Sequence, residues 1–485
     1  MSVRSGEAVS VQRLRRQQQI HDQANSNGAT DGSHTRVSSL DERKQVGRAL
    51  RSGIPRAEHG KWTKKSTRPD PIDLLRTADA GRIPELLPIR YERMLQSPLS
   101  FYRGAAAVMA ADLAGTPATG IRVQACGDCH LMNFGGFATP ERNIVFDIND
   151  FDETLPAPWE WDVKRLATSF VLAARSNGMS DSTAREAAVA CTRSYRKRLA
   201  QFSKTNPIDV WYARITADDI MDMWPARDRD RDRVQKRIDK AARQLGSEVD
   251  FPKLTHVVGG RLGIHDALPL IYHPDVARAP EFEHLVDQAL MSYRKSLADD
   301  RRVLLDRYRV VDAAIKVVGV GSVGRRCWIA LMMSASNEPL FLQFKEAVAS
   351  VLEPYAGRSA YPHHGQRIVM GQRLMQPASD IFLGWETAEA SHAQFYVRHL
   401  RDAKIKPLVE AMDQELLLNY GKVCGWVLAR AHAKTGDAAA IGGYIGSSDV
   451  FDEAIGDFSL AYADQAERDH AALGAAVRKG KIAAH

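Results

Sequence analysis

The segment that most constrains this chain is CGDCHLMNFGGFATPERNIVFDINDFDE, residues 126–153. It gathers Asp128, His130, Asn133, Asp147, Asp150, Asp152 and Glu153 around two short apolar runs. So many proton acceptors and oxygen ligands are costly to fold together unless a cation or a substrate uses them. The segment reads in two ways. Cys126-Gly127-Asp128-Cys129-His130 spells C-x-x-C-H, the haem-attachment pattern. Asp128, Asn133 and Asp147 also have the spacing of a phosphotransferase catalytic loop followed by a metal-binding aspartate.

In phosphoryl transfer one carboxylate takes the acceptor's hydroxyl proton, and an amide five residues later on the same tight loop helps hold the metal. Asp128 and Asn133 supply that pair, with His130 between them. The strand-like NIVFDI (143–148) then delivers Asp147 as a second metal ligand. Mg²⁺ takes few protein carboxylates and fills its shell with phosphate oxygens, so Asn133 and Asp147 suffice. Covalent haem needs export and an axial ligand, and the polar start MSVRSGEAVSVQRLRRQQQ has no apolar signal core. A zinc pair at Cys126 and Cys129 lacks a second C-x-x-C.

A distant segment bears on the same question. Residues 309–346, RVVDAAIKVVGVGSVGRRCWIALMMSASNEPLFLQFKE, read as consecutive strands, with G-x-G-x-x-G at Gly319, Gly321 and Gly324. A glycine loop followed by a helix suits a dinucleotide; a glycine loop between two strands suits a kinase-type phosphate lid. Lys345 sits inside the apolar strand FLQFKEA, where an ammonium needs a partner. An ATP phosphate and a helix carboxylate would provide it, and Glu353 suits the following helix better than Glu346 does. The order is reversed relative to an ordinary kinase, since catalytic loop and metal aspartate precede glycine loop and lysine. Circular permutation reconciles the two orders.

Along the chain, residues 1–45 are polar, and residues 1–68 carry 14 Lys/Arg against 6 Asp/Glu. The net charge of +7 therefore belongs to the tail and not to the rest. A solvated, disordered arm accounts for it better than a nucleic-acid arm, because no aromatic residue interleaves before Trp62. Helices are expected near 159–178, 182–205 and 228–245 and again after Pro407, and further strands at 381–387 and 393–400. No apolar run is long enough to span a bilayer, and five cysteines imply a reducing compartment without disulfides. A cytoplasmic protein is expected.

These residues resemble a bacterial family, domain of unknown function family 2252. The resemblance covers roughly residues 46–470 and rests on PIRYERMLQSPLSFYRGAAAVMAADLA, CGDCHLMNFG, FDINDFDETLPAPWEWDVKRLATS, VVGVGSVGRRC, FLQFKEA and MGQRLMQPASDIFLGW with YVRHLRD. That family is grouped with the protein-kinase-like superfamily, near aminoglycoside and choline phosphotransferases. The resemblance implies Asp128 as catalytic base, Asn133 and Asp147 as metal ligands, and Asp162 as the helix aspartate that braces the loop. Cys126 departs from the relatives' usual histidine; His130 keeps its place.

The expectation is an α+β, kinase-like, two-lobed and circularly permuted fold with a small antiparallel sheet lobe and a larger helical lobe. Its parts are a disordered basic tail (1–45), a helical lobe with the catalytic loop (46–308), a β-rich nucleotide lid (309–407) and C-terminal helices (408–485). The expected function is ATP- and Mg²⁺-dependent phosphoryl transfer to an unknown hydroxyl acceptor, a small molecule or a protein. Catalytic roles fall to Asp128 and His130, nucleotide contacts to Gly319, Gly321, Gly324, Lys345 and Glu353, and metal binding to Asn133 and Asp147. The alternatives are a pseudokinase or nucleotide-dependent binding module, a nucleotidyl transferase using the same site, and a non-enzymatic scaffold.

Overall fold

A computed structural model describes residues 38–223, 232, 235–236, 238–239, 251–258, 261–278, 282–389, 391–400 and 405–484. Residues 1–42 and 43–485 form separate units. Of the first, residues 38–42 are described. There Ser39 and Glu42 exchange backbone and side-chain hydrogen bonds (3.2 and 2.6 Å), a capping box that opens helix α1, Leu40–Ala49. Residues 40–45, expected to be disordered, are therefore helical; the rest of the basic tail, and most of the helix expected at 228–245, lie outside the described residues.

The chain is mixed α+β with several small antiparallel sheets. Early helices are α2 (Pro71–Ala78), α3 (Leu87–Leu95), α4 (Pro98–Gly104) and α5 (Ala106–Leu113), two of them entered through an Asp70 or Ser97 N-cap followed by proline. Strand β1 (Arg122–Ala125) pairs with β4 (Leu155–Pro158). Between them a hairpin of β2 (Phe134–Ala138) and β3 (Ile144–Ile148) is joined by the short β5 (Ile215–Thr216). Helix α6 (Trp159–Ser176) follows and ends at Asn177, as the sequence predicts. Helices α7 (Asp181–Phe202) and α8 (Pro207–Tyr212) come next.

The region 180–300 is less helical than expected. It holds a hairpin, β6 (Thr255–Val258) with β7 (Arg261–Ile264), and a two-residue strand β8 (Ile271–Tyr272). Helices α9 (Phe282–Lys295) and α10 (Asp299–Leu305) then lead into the main sheet. Its strands are β9 (Tyr308–Lys316), β10 (Cys327–Ser334), β11 (Pro339–Glu346), β12 (Gly384–Thr387) and β13 (Gln394–His399), ordered β12-β13-β11-β10-β9-β8. Tyr293, Leu297 and Leu305 of the preceding helical segment share a core with Leu340, Leu342 and Phe344. The sheet's packing partners thus begin before residue 309. Helix α11 (His364–Met375) connects β11 to β12.

The chain closes with α12 (Gln414–Thr435), α13 (Ala438–Ile445) and α14 (Val450–Arg478). Their apolar faces pack with α6 and α7 into the largest core, which includes Phe170, Leu199, Val427 and Phe458. All five cysteines are free and buried. Among the described residues, no helix is long and apolar enough to cross a membrane.

Candidate functional site

Helix α6 is buried on every face through its first four turns, so the charges inside it must find partners. Asp162 and Arg165, one turn apart, turn toward the loop at 126–133. Asp162 accepts hydrogen bonds from the backbone N–H of Cys126 (2.6 Å) and of Gly127 (3.0 Å), and His432 Nε2 lies 3.3 Å away. Arg165 donates through Nε (2.7 Å) and Nη2 to Asp128 Oδ1. Gly127 makes the turn possible: its φ is +83°, and a Cβ there would lie 2.3 Å from the Glu153 carbonyl oxygen.

Three of the predicted residues meet on this loop. Burial pushes the Asp128 carboxyl up to about 7, with Arg165 opposing. His130 Nε2 stands 3.8 Å from Asp128 Oδ2. Burial, aided by Arg103 and Arg165, holds the His130 imidazole well below its usual range, so it is neutral at pH 7. Asn133 Nδ2 donates to the Asp128 carbonyl (2.8 Å), and the Asn133 carbonyl accepts from Asn149 N–H (2.8 Å). That last bond ties the loop at 126–133 to the acidic turn at 149–153.

Asp147 lies elsewhere. It is sealed from solvent, its Oδ2 paired with Arg430 Nη2 at 2.6 Å and its Oδ1 accepting from Ile148 N–H. Burial pushes its carboxyl up to about 6, against the pull of Arg430. The expected metal ligand thus has its carboxylate committed inside the core. Asp150 and Asp152, three and five residues further on, do reach solvent, at 37% and 27% exposure.

The main sheet supplies the other wall. Along β11 the side chains alternate, and Lys345 falls on the face opposite Leu342 and Phe344. Its ammonium sits 2.5 Å from Asp152 Oδ2 and 3.9 Å from Asp150 Oδ1. Burial works against this charge, but the two aspartates outweigh it and hold Lys345 well above the ordinary lysine range. Tyr396, its cross-strand neighbour, donates to Asp152 Oδ1 (2.8 Å). Arg398 bonds Gln343 on the same face (3.1 Å).

Glu353 does not partner Lys345. It starts a one-turn helix beside Arg367 and His364, with Oε1 buried and unbonded. Helix α11 presents Arg367 in place of a carboxylate. That guanidinium donates to the carbonyls of Thr154 (2.6 Å), Asp152 (2.8 Å) and Val348 (2.8 Å), clamping the sheet segment to the acidic turn.

The glycine loop closes over the same turn. Gly319 and Gly324 take φ of +71° and +87°. Arg93 holds the Gly319 carbonyl and Arg82 the Val323 carbonyl, both at 2.5 Å. Ser322 Oγ reaches Asp152 Oδ2 at 3.3 Å. Loop, lysine, acidic turn and catalytic loop therefore converge.

A family model matches residues 82–476: uncharacterized protein conserved in bacteria (DUF2252). The chain belongs to this family. No curated protein and no solved structure matches it. The matched span takes in every site residue named above, from Arg82 to Arg430.

The sequence leaves open whether Asp150, Asp152 or Glu153 shares a metal with Asp147, and it does not single out Arg165 or Tyr396 at all. Arg165 carried a usable signal, its three-residue spacing from Asp162. The pairing of Lys345 with Asp150 and Asp152 had none, since it depends on long-range docking of the sheet.

Proposed function

We propose that this family member is a kinase-like phosphotransferase of circularly permuted order, using ATP and Mg²⁺ to phosphorylate a hydroxyl acceptor. The carrying observation is Lys345, brought from the main sheet to 2.5 Å from Asp152 and 3.9 Å from Asp150. A buried lysine on the second strand after a glycine loop, facing an acidic turn that follows the catalytic loop, is the arrangement phosphoryl transfer needs. Permutation gains support from α12, which ends against the start of β1: Gln124 N–H donates to Thr435 Oγ1 at 3.2 Å. The helix thus hands over in space to the strand entering the catalytic loop.

The donor set suits Mg²⁺. Mg²⁺ takes few protein oxygen ligands and borrows phosphate oxygens for the rest of its shell. Asp150 and Asn133 would hold it, in place of Asp147. Bound there, Mg²⁺ would neutralise the charge developing on the transferred phosphoryl group. Lys345 would pair with the phosphates, and the glycine loop would exclude water above them. Asp128 would receive the acceptor's proton as the new O–P bond forms and the bond to ADP breaks. A carboxyl near 7 suits that task at neutral pH.

A second reading is a pseudokinase. It is favoured by Arg165, whose two N–H groups occupy Asp128 Oδ1. One experiment separates the two: Mg-ATP thermal shift and γ-phosphate release for wild type, Asp128→Asn, Asp150→Asn and Lys345→Met. Phosphotransfer predicts stabilisation lost in Asp150→Asn and Lys345→Met, and turnover lost in all three. A pseudokinase predicts stabilisation of wild type without turnover. ATP that stabilises no form sinks both readings.

A further inference from the structure

On the far side of the β2–β3 hairpin lies a cavity of about 380 Å³ that the phosphotransfer reading does not use. Its walls come from several separate places: Pro140 at the hairpin tip, Trp211 of α8, Arg301 of α10, Arg373 of α11, the turn 376–381, and Lys434 near the end of α12.

The charge on these walls is one-sided. Arg301, Arg373 and Lys434 all line the cavity, against one carboxylate, Asp380. Asp380 is already committed. Its Oδ1 meets His399 Nδ1 (3.0 Å) and Phe382 N–H (2.8 Å), and its Oδ2 accepts from His399 N–H (2.6 Å). Among the described residues neither Arg373 nor Lys434 has a carboxylate within ion-pair distance. Their hydrogen bonds go to carbonyl oxygens, Arg373 to Leu383 (2.7 Å) and Lys434 to Gln376 (2.6 Å). Among the described residues the Arg301 guanidinium pairs with its chain neighbour Asp300, at 3.4 Å. Three cations thus share one cavity whose single lining carboxylate is committed elsewhere, which favours entry of an anion. Burial and the nearby Arg430 pull the Lys434 ammonium down to about 8, with Asp147 opposing.

Size and shape narrow the anion. The volume falls within the range of small-molecule sites. Trp211 is 44% exposed, and Lys434 Nζ lies 4.2 Å from its ring centroid, so an indole borders the cationic wall. Two guanidiniums offer the planar forks that match phosphate oxygens.

We propose that this cavity is a second ligand site, for a small phosphorylated compound, separate from the Lys345–Asp150 cleft. Its floor connects to that cleft. Gln376, on the cavity wall, donates through Nε2 to the Ile148 carbonyl (2.7 Å), two residues before Asp150. Lys434 lies one helical turn beyond Arg430, which seals Asp147 at the end of the same strand. An anion drawn to Lys434 and Arg373 acts on the segment that ends in the acidic turn. The site is therefore placed to regulate, whatever chemistry the cleft performs, and does not rest on the phosphotransfer reading.

The test is calorimetric titration of the full chain with inorganic pyrophosphate in chelator, so that no divalent cation contributes. Wild type and Lys345→Met should bind it saturably with like affinity. Arg301→Glu and Lys434→Gln should each weaken binding roughly tenfold or more. Arg301 is at the surface, so its replacement leaves the fold intact, and a thermal melt of each variant verifies this. Trp211→Phe should remove the fluorescence change that accompanies titration. Three results would overturn the proposal: no saturable binding, binding undiminished in Arg301→Glu and Lys434→Gln, or binding abolished by Lys345→Met alone.

Discussion

Two acid–base contacts stand at either end of one short stretch and behave oppositely. Asp147 and Arg430 meet at 2.6 Å with both side chains fully enclosed. Asp152 and Lys345 meet at 2.5 Å with the carboxylate 27% exposed and Asp150 beside it 37% exposed. The first pair joins the β2–β3 hairpin to α12 inside the helical core. The second joins the main sheet to the acidic turn, where the aspartates reach solvent. An aspartate after an apolar strand thus has two possible fates, a buried anchor or a ligand at a solvent-facing turn. Strand length decides between them: β3 ends at Ile148, so Asp147 is still inside and Asp150 is past the edge.

The comparison breaks most sharply at Asp147. Asp147→Ala strands the Arg430 guanidinium in the core, which should cost about 3–5 kcal/mol of stability in denaturant unfolding. Replacing both partners with Leu and Met should recover most of that loss, because the desolvation cost of the ion pair disappears as well. A double variant as unstable as the single one would show that the site needs the charges themselves.

At the open pair the balance reverses. Lys345→Met keeps the apolar stem, and Asp152 retains Tyr396 and solvent, so stability should fall by only about 1 kcal/mol. Asp150→Asn should be as mild. Both should lower ATP turnover by roughly a hundredfold or more, since each removes a charge that acts on the phosphates. Equal losses of stability at Asp147 and Asp150 would erase the distinction between anchor and ligand.

The sequence carried the local half of this picture. The Val/Ile/Leu/Phe-rich runs at 309–346 are β9, β10 and β11, and α6 stops at Asn177 as its C-terminal Asn-Gly predicts. Asp128 and Asn133 lie on one loop because five residues cannot separate far. What escaped was set by tertiary packing. β2, with the sequence FGGFA, has poor strand propensity. It is a strand because Ile405 approaches so closely that a Cβ on Gly135 would lie 2.5 Å from its carbonyl oxygen. Glu353 looked like the partner of Lys345 by analogy of order, yet the helix position it was meant to fill carries Arg367. That Asp147 is enclosed while Asp150 reaches solvent also escaped, because spacing alone does not reveal where a strand leaves the core.

The smallest expected effect tests the catalytic loop by pH. A base must be deprotonated to accept the acceptor's proton, so activity should rise with pH as Asp128 ionises. Burial raises that carboxyl to about 7, and the Arg165 guanidinium keeps it from going higher. kcat/KM should therefore climb between about pH 6 and 8 and then level off. Arg165→Gln removes the opposing positive charge, so the rising limb should move to higher pH by about one unit, equivalent to about 1.4 kcal/mol. Arg165→Lys keeps the charge and should leave the limb near its original place while lowering the plateau, because a lysine cannot offer two N–H groups to one oxygen in the same fork. A profile that stays flat through neutral pH in all three forms would remove Asp128 from the role of base, and would leave Arg165 and Asp162 as the scaffold of a loop that binds nucleotide without proton transfer.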